Sequence, residues 1–245
     1  TSPGRAGAVR AWLDRYTIIE DITVADHCAQ IAPLRLIGKS ARDVAARIAD
    51  TDAPDANSFT GGHLGDIEVQ LLGSEPIADA PAWLLLVPAD HAPSAARWLI
   101  EECAATFIGE LAWDALRIEA GLPRSGHEIT EERNPLELGL WNSVAFDKGC
   151  YVGQEVLARL RNYDKIMSQL ALLELNSPAA AGAALMHEGK LVGELTSTTA
   201  LPIAEAARGL GLVKRRVVQA GGELAVGDPG TGIIAKIVRV IDLRS

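Results

Sequence analysis

Apolar and polar positions along the chain follow two regimes. Up to about residue 165, helical and strand-like periods alternate. "GAVRAWLDRY" (residues 7–16) has helical spacing. "TIIEDITVAD" (17–26) is rich in β-branched residues and predicts a strand, as does "CAQIAPLRLIG" (28–38), which Pro33 interrupts. Ser40 is placed to cap "SARDVAARIAD" (40–50), where Val44 and Ile48 recur at i, i+4. "DANSFTGGHLGD" (55–66) reads as a glycine-rich loop. "IEVQLLG" (67–73) and "AWLLLVP" (82–88) read as strands around the turn-rich "SEPIADAP". "APSAARWLIEECA" (92–104) predicts a helix with Pro93 in its first turn, and "ELAWDALRIEAG" (110–121) another, ended by Gly121.

After Lys165 the period changes. "SQLALLEL", "AALMHEGKLVGELTSTT", "ARGLGLVKRRVV" and "GIIAKIVRVIDL" are strand-like runs separated by the turn signals "HEGK", "AGGE" and "GDPGTG". No long helical pattern remains there. The fold class expected is therefore α+β: a layered α+β domain over 1–165, then a small antiparallel β-barrel over 166–245.

Composition narrows the functional classes. The chain has 245 residues, 48% of them apolar, which suits a globular protein rather than a disordered one. Its net charge of −9 disfavours non-specific nucleic-acid or anionic-membrane binding. No apolar run approaches the roughly 18 residues of a membrane span, and the N-terminus lacks the apolar core of a signal peptide. Three widely spaced cysteines, Cys28, Cys103 and Cys150, argue for a reducing compartment, taken here as the cytoplasm.

Two stretches carry candidate chemistry. On "ELAWDALRIEAG", at about 100° per residue, Leu111, Ala115 and Ile118 share one face, and Trp113, Leu116 and Ala120 a second. Asp114 and Arg117 pair at i, i+3 on the side expected to be wet. Glu119 points between the apolar stripes and needs a partner there. That partner is either a nearby arginine or the donor atoms of a ligand heterocycle. In "DKGCYVGQEVLAR" (147–159), Gly149 and Gly153 flank the cysteine, and "QEVLARL" has helical register. Cys150 thus lies near a helix N-terminus and beside Lys148, both of which stabilise a thiolate. The alternative is a small apolar cysteine filling a tight turn. A metal centre is not expected, because no second Cys or His lies at ligand spacing. Arg159, Arg161 and Lys165 form a basic cluster near the thiol. Such clusters are commonly solvated faces, but this one is also suited to an anionic ligand tail.

"RIEAGLPRSGHEI" (117–129), "NPLELGL" (134–140) and "DKGCYVGQEVLAR" together resemble the signature of YgfZ-type folate-binding proteins, relatives of the aminomethyltransferase (T-protein) of the glycine cleavage system. "VGELTSTTALP" and "ARGLGLVKRR" are similar to that family's C-terminal barrel. The cysteine favours the YgfZ branch, since T-proteins share the RLEAG element and usually lack the thiol. The resemblance implies a tetrahydrofolate (or one-carbon-substituted folate) scaffold that supports iron–sulfur protein assembly or repair, with iron–sulfur client or assembly proteins as partners. It implies functional weight on Lys148, Gly149, Cys150, Gly153, Gln154 and Glu155, and a pterin hydrogen bond from Glu119. Arg159 and Arg161 are the candidates for the glutamate tail of the folate. Gln154 stands where the T-protein carries a folate-contacting arginine. The resemblance joins the family pattern partway through its folate domain, so no catalytic aspartate is assigned. One-carbon transfer to tetrahydrofolate, as in the aminomethyltransferases, is the rival expectation; a module without a small ligand is a third.

Overall fold

The structure, a computed structural model, describes residues 4–19, 21–199 and 206–243. The chain divides into two compact units, residues 1–107 and 108–245. This division falls earlier than the change of period at residue 165, because the second unit takes in the helix ending at Gly121 and the cysteine motif.

In the first unit, α1 (Ala6–Tyr16) precedes a four-stranded antiparallel sheet made of β1 (Ile31–Ile37), β2 (Phe59–Leu64), β3 (Ile67–Ile77) and β4 (Ala80–Pro88). The spatial order is β1-β4-β3-β2, so Pro33 lies on an edge strand, where a missing N–H is tolerated. Between them α2 (Ala41–Ala49), and after them α3 (Ala92–Cys103), cover one sheet face. Ala45, Ile48 and Leu99 pack there against Leu71, Trp83 and Leu85. Ser40 stands at the N-cap of α2, but its side chain makes no capping hydrogen bond.

Three expectations are corrected in this unit. The described residues of 17–26 form no strand; Ile18, Ile19 and Ile22 are exposed. β-Branched residues favour a strand only where a neighbour completes the ladder. The predicted loop "DANSFTGGHLGD" instead contains β2. Gly62 lets it lie close to α2: a Cβ there would sit 2.4 Å from the carbonyl oxygen of Ile48. Likewise β3 runs on to Ile77, and its hairpin with β4 turns only at Ala78 and Asp79, both at positive φ.

The second unit opens with α4 (Glu110–Ala120). Gly121 closes it at φ +76°, and a Cβ at Gly121 would collide with the Ile241 side chain. The motif loop leads into α5 (Gln154–Asn162). A closed antiparallel barrel follows, in the order β10-β5-β8-β7-β6-β9. Its strands are β5 (Ser168–Leu175), β6 (Ala184–His187), β7 (Lys190–Thr198), β8 (Ala207–Lys214), β9 (Glu223–Val226) and β10 (Ile234–Val240). The barrel was expected. A short helix, α6 (Arg215–Ala220), that interrupts its strands after "ARGLGLVK" was not. β5 explains why "LALLEL" shows no alternation: Ala171 and Leu173 fill the barrel, while Leu170 and Leu172 pack outward with Ile118 of α4. Residues 200–202, which end the quoted "VGELTSTTALP", lie outside the described residues. Among the described residues no helix is long and apolar enough to cross a membrane.

Candidate functional site

The α4 helix carries Glu119, the first of the predicted site residues. Its final turn is tied to the barrel by Arg239, which donates to the Glu119 carbonyl oxygen, and the helix is closed by the Leu122 N–H bonding back to the Arg117 carbonyl. Glu119 is half-buried, and its Oε2 lies 3.3 Å from Arg208 Nε of β8. An arginine partner was one of the two readings open for this residue. The pairing is incomplete, however. Among the described residues neither Glu119 Oε2 nor Arg208 Nε makes a hydrogen bond, although both atoms are buried. Arg208 instead spends its Nη1 on Glu174 of β5, its cross-strand neighbour. A buried carboxylate oxygen with an ion pair but no hydrogen bond keeps capacity to accept from ligand N–H groups.

The expectation that Asp114 and Arg117 face water is wrong for Arg117, whose side chain is 3% exposed. Its Nε donates to Asp114 Oδ1 at 2.6 Å, its Nη1 to Glu128 Oε2 at 3.3 Å and its Nη2 to Ser197 Oγ at 2.8 Å. Glu128, wholly buried, also accepts from the Thr196 and Ser197 hydroxyls and the Arg124 N–H. Helix phase gives the angle of a side chain but not what packs against that angle. Here β7 supplies two hydroxyls, and an ionic network replaces solvent. The sequence reading missed Glu128, Thr196 and Ser197. The only signal was that Arg117 and Glu128 open and nearly close the same "RIEAGLPRSGHEI" segment.

The motif loop carries the remaining predicted site residues, and no contact joins Cys150 to Glu119 among the described residues. Cys150 is a free, exposed thiol three positions before Gly153, which caps α5 at φ +89°. The Lys148 ammonium lies 5.0 Å above the Tyr151 ring. Gln154 has a local role: its side-chain oxygen accepts from the Tyr151 N–H at 3.2 Å, while its own N–H bonds to the Tyr151 carbonyl. This reciprocal pair fixes the turn into α5. Gly149 is exposed and a Cβ there would meet open space. Glu155 and Arg159, both well exposed, face each other at 3.9 Å along α5, an arrangement of little energetic weight. Val152 and Val156, which share the helical register, are exposed.

Arg161 differs from Arg159. Its guanidinium stacks 4.4 Å over the Phe146 ring and lines a cavity of about 380 Å³. Trp141, Asp164, Gln169 and Arg215 complete the polar and aromatic wall, with Arg215 bonded to Asp164. The volume lies within the range of small-molecule sites. Of the predicted site residues, Arg161 lines this cavity; Glu119 and Cys150 do not. Among the described residues, no group of three or more His, Cys, Asp or Glu side chains is gathered as metal ligands.

Comparisons with known proteins agree with this architecture. Residues 1–148 match the family described as the GCVT N-terminal domain. A chloroplastic "putative transferase" of Arabidopsis thaliana is 41% identical over 130 residues, 53% of this chain and 30% of that protein. An aminomethyltransferase of Halalkalibacterium halodurans is 26% identical over 93% of this chain and 64% of its own length. The crystal structure of the glycine cleavage system aminomethyltransferase T from Bartonella henselae superposes with a TM-score of 0.78 at 23% identity, covering 96% of this chain and 65% of that one. The last likeness shows a shared fold. The chain thus spans about a third to two thirds of the length of these relatives. With more than half of its residues matching the family, the chain belongs to the GCVT N-terminal domain family, the group that includes T-protein-like aminomethyltransferases.

Proposed function

We propose that the chain binds tetrahydrofolate and supports assembly or repair of iron–sulfur proteins, as in the YgfZ-type branch of its family. The observation that carries the folate reading is Glu119 Oε2, a buried carboxylate oxygen that faces Arg208 Nε at 3.3 Å yet makes no hydrogen bond among the described residues. A pterin presents several N–H donors along one edge, and an ionised carboxylate is an acceptor only, so this residue fits that group. Glu119 would orient the pterin. Arg161, with its cavity, would meet the carboxylates of the glutamate tail through charge-assisted hydrogen bonds, with Arg159 nearby on the same helix. Gly149, Gly153, Gln154 and Glu155 would shape and present the loop that carries Lys148 and Cys150.

The iron–sulfur reading rests on Cys150. Its thiol is exposed, on a loop fixed at the start of a helix, and aminomethyl transfer has no need of a thiol. Its partners would be iron–sulfur client or assembly proteins in a reducing compartment such as the cytoplasm. Three free cysteines are consistent with that compartment. The test is complementation of an iron–sulfur maturation defect. Cys150→Ser should fail to complement while folding normally; full complementation by Cys150→Ser refutes the role of the thiol. A second reading, one-carbon transfer to tetrahydrofolate, is favoured by the relatives named aminomethyltransferase that align over most of the chain. On that reading catalysis is mainly positioning and electrostatic, and Cys150→Ser leaves it unchanged.

A further inference from the structure

Arg208 stands between two carboxylates, forms an ion pair with each and hydrogen-bonds to only one of them. It lies directly opposite Glu174 across the β5–β8 ladder, and its Nη1 donates to Glu174 Oε2. On its other side Nε comes within 3.3 Å of Glu119 Oε2 without a hydrogen bond. A guanidinium this close to a carboxylate ordinarily closes a two-point fork. Two contacts account for its failure to do so. Glu174 holds the tip of Arg208, and Arg239 holds the backbone under Glu119 by donating to its carbonyl oxygen. Lys236, the neighbour of Glu174 across β10, is engaged by Glu223 at 3.6 Å, which leaves Glu174 to Arg208.

We propose that Glu174 is a positioning residue: by retaining Arg208 it keeps the Glu119 carboxylate free to accept hydrogen bonds from a ligand heterocycle. Without that hold, Arg208 swings onto Glu119 and competes with the ligand for the same oxygens. The inference rests on the folate reading above and adds a residue outside the signature motifs.

The experiment is calorimetric titration of tetrahydrofolate, under anaerobic conditions, into the 245-residue chain and its variants, with thermal unfolding of each as a control. Glu174→Gln should weaken binding about tenfold, the scale of one charge-assisted hydrogen bond. Arg208→Gln in the Glu174→Gln background should restore most of the lost affinity, because the competitor is gone. A merely structural role for Glu174 predicts no such rescue. Arg208→Gln alone should bind within about threefold of the wild type, which keeps the idea testable if Glu174→Gln folds poorly. Unchanged affinity in Glu174→Gln, no rescue in the double variant, or a large loss in Arg208→Gln alone overturns the role of Glu174 while leaving the folate reading in place. Absence of binding by the wild type overturns both.

Discussion

Arg117 is bonded on three sides inside the second unit, and its loss should be felt as lost stability. Arg117→Ala leaves the Glu128 carboxylate buried without its cation, a change that typically costs about 3–5 kcal/mol. Urea unfolding should show a deficit of that size. Replacing Arg117 and Glu128 together by leucine should cost clearly less than the sum of the two single changes, because no uncompensated charge remains. At this scale the sequence was legible where chemistry is local. Periodicity placed Glu119 between apolar stripes, and it is half-buried beside Arg208. It was blind to the burial of Arg117, whose partner Ser197 lies 80 positions away in the chain. The cysteines give a second residue-scale expectation. The hydrogen bond to Asp26 pushes the Cys28 thiol above its ordinary range, and burial does the same for Cys103. Since the thiolate is the reactive form, Asp26→Asn should lower the Cys28 value and speed its alkylation at pH 8. An unchanged rate, read by mass spectrometry of the modified peptide, contradicts the assignment.

Elements were legible wherever their pattern was self-sufficient and obscure where it depended on a neighbour. The helices α2, α3 and α4 stand where apolar spacing put them, as do β4 and the first seven residues of β3. By contrast, 17–26 has the composition of a strand but its described residues form none, and β2 hides inside a glycine-rich stretch. Gly61 and Gly62 suggested a loop because glycine usually punctuates elements. At Gly62 the missing side chain serves contact instead, admitting the Ile48 carbonyl of α2. Gly62→Ala must therefore push strand and helix apart, and a penalty of about 1–3 kcal/mol is expected. Thermal unfolding checks this; a neutral outcome means the strand can shift without cost. β5 teaches the complementary lesson. Its continuous leucines signal burial on both faces, against the barrel interior on one side and α4 on the other.

At the scale of the whole molecule, the change of period at residue 165 and the division into compact units at 107/108 describe different things. The first marks where helices give way to strands. The second follows packing: Ile118 of α4 is buried with Leu170, Leu172, Leu210 and Ile241, so the helix bearing Glu119 belongs to the barrel unit. No periodicity along a chain announces which neighbour a helix will choose. That placement sets Glu119 against the charged side chains of β8 and β10, and the account of function turns on it. The most direct measurement is titration of tetrahydrofolate into the chain and into Glu119→Gln. The account predicts saturable binding by the wild type and an affinity at least about tenfold lower for Glu119→Gln, as expected when a charged acceptor is replaced by a neutral amide. Equal affinity of the two proteins, or no binding by the wild type, contradicts it.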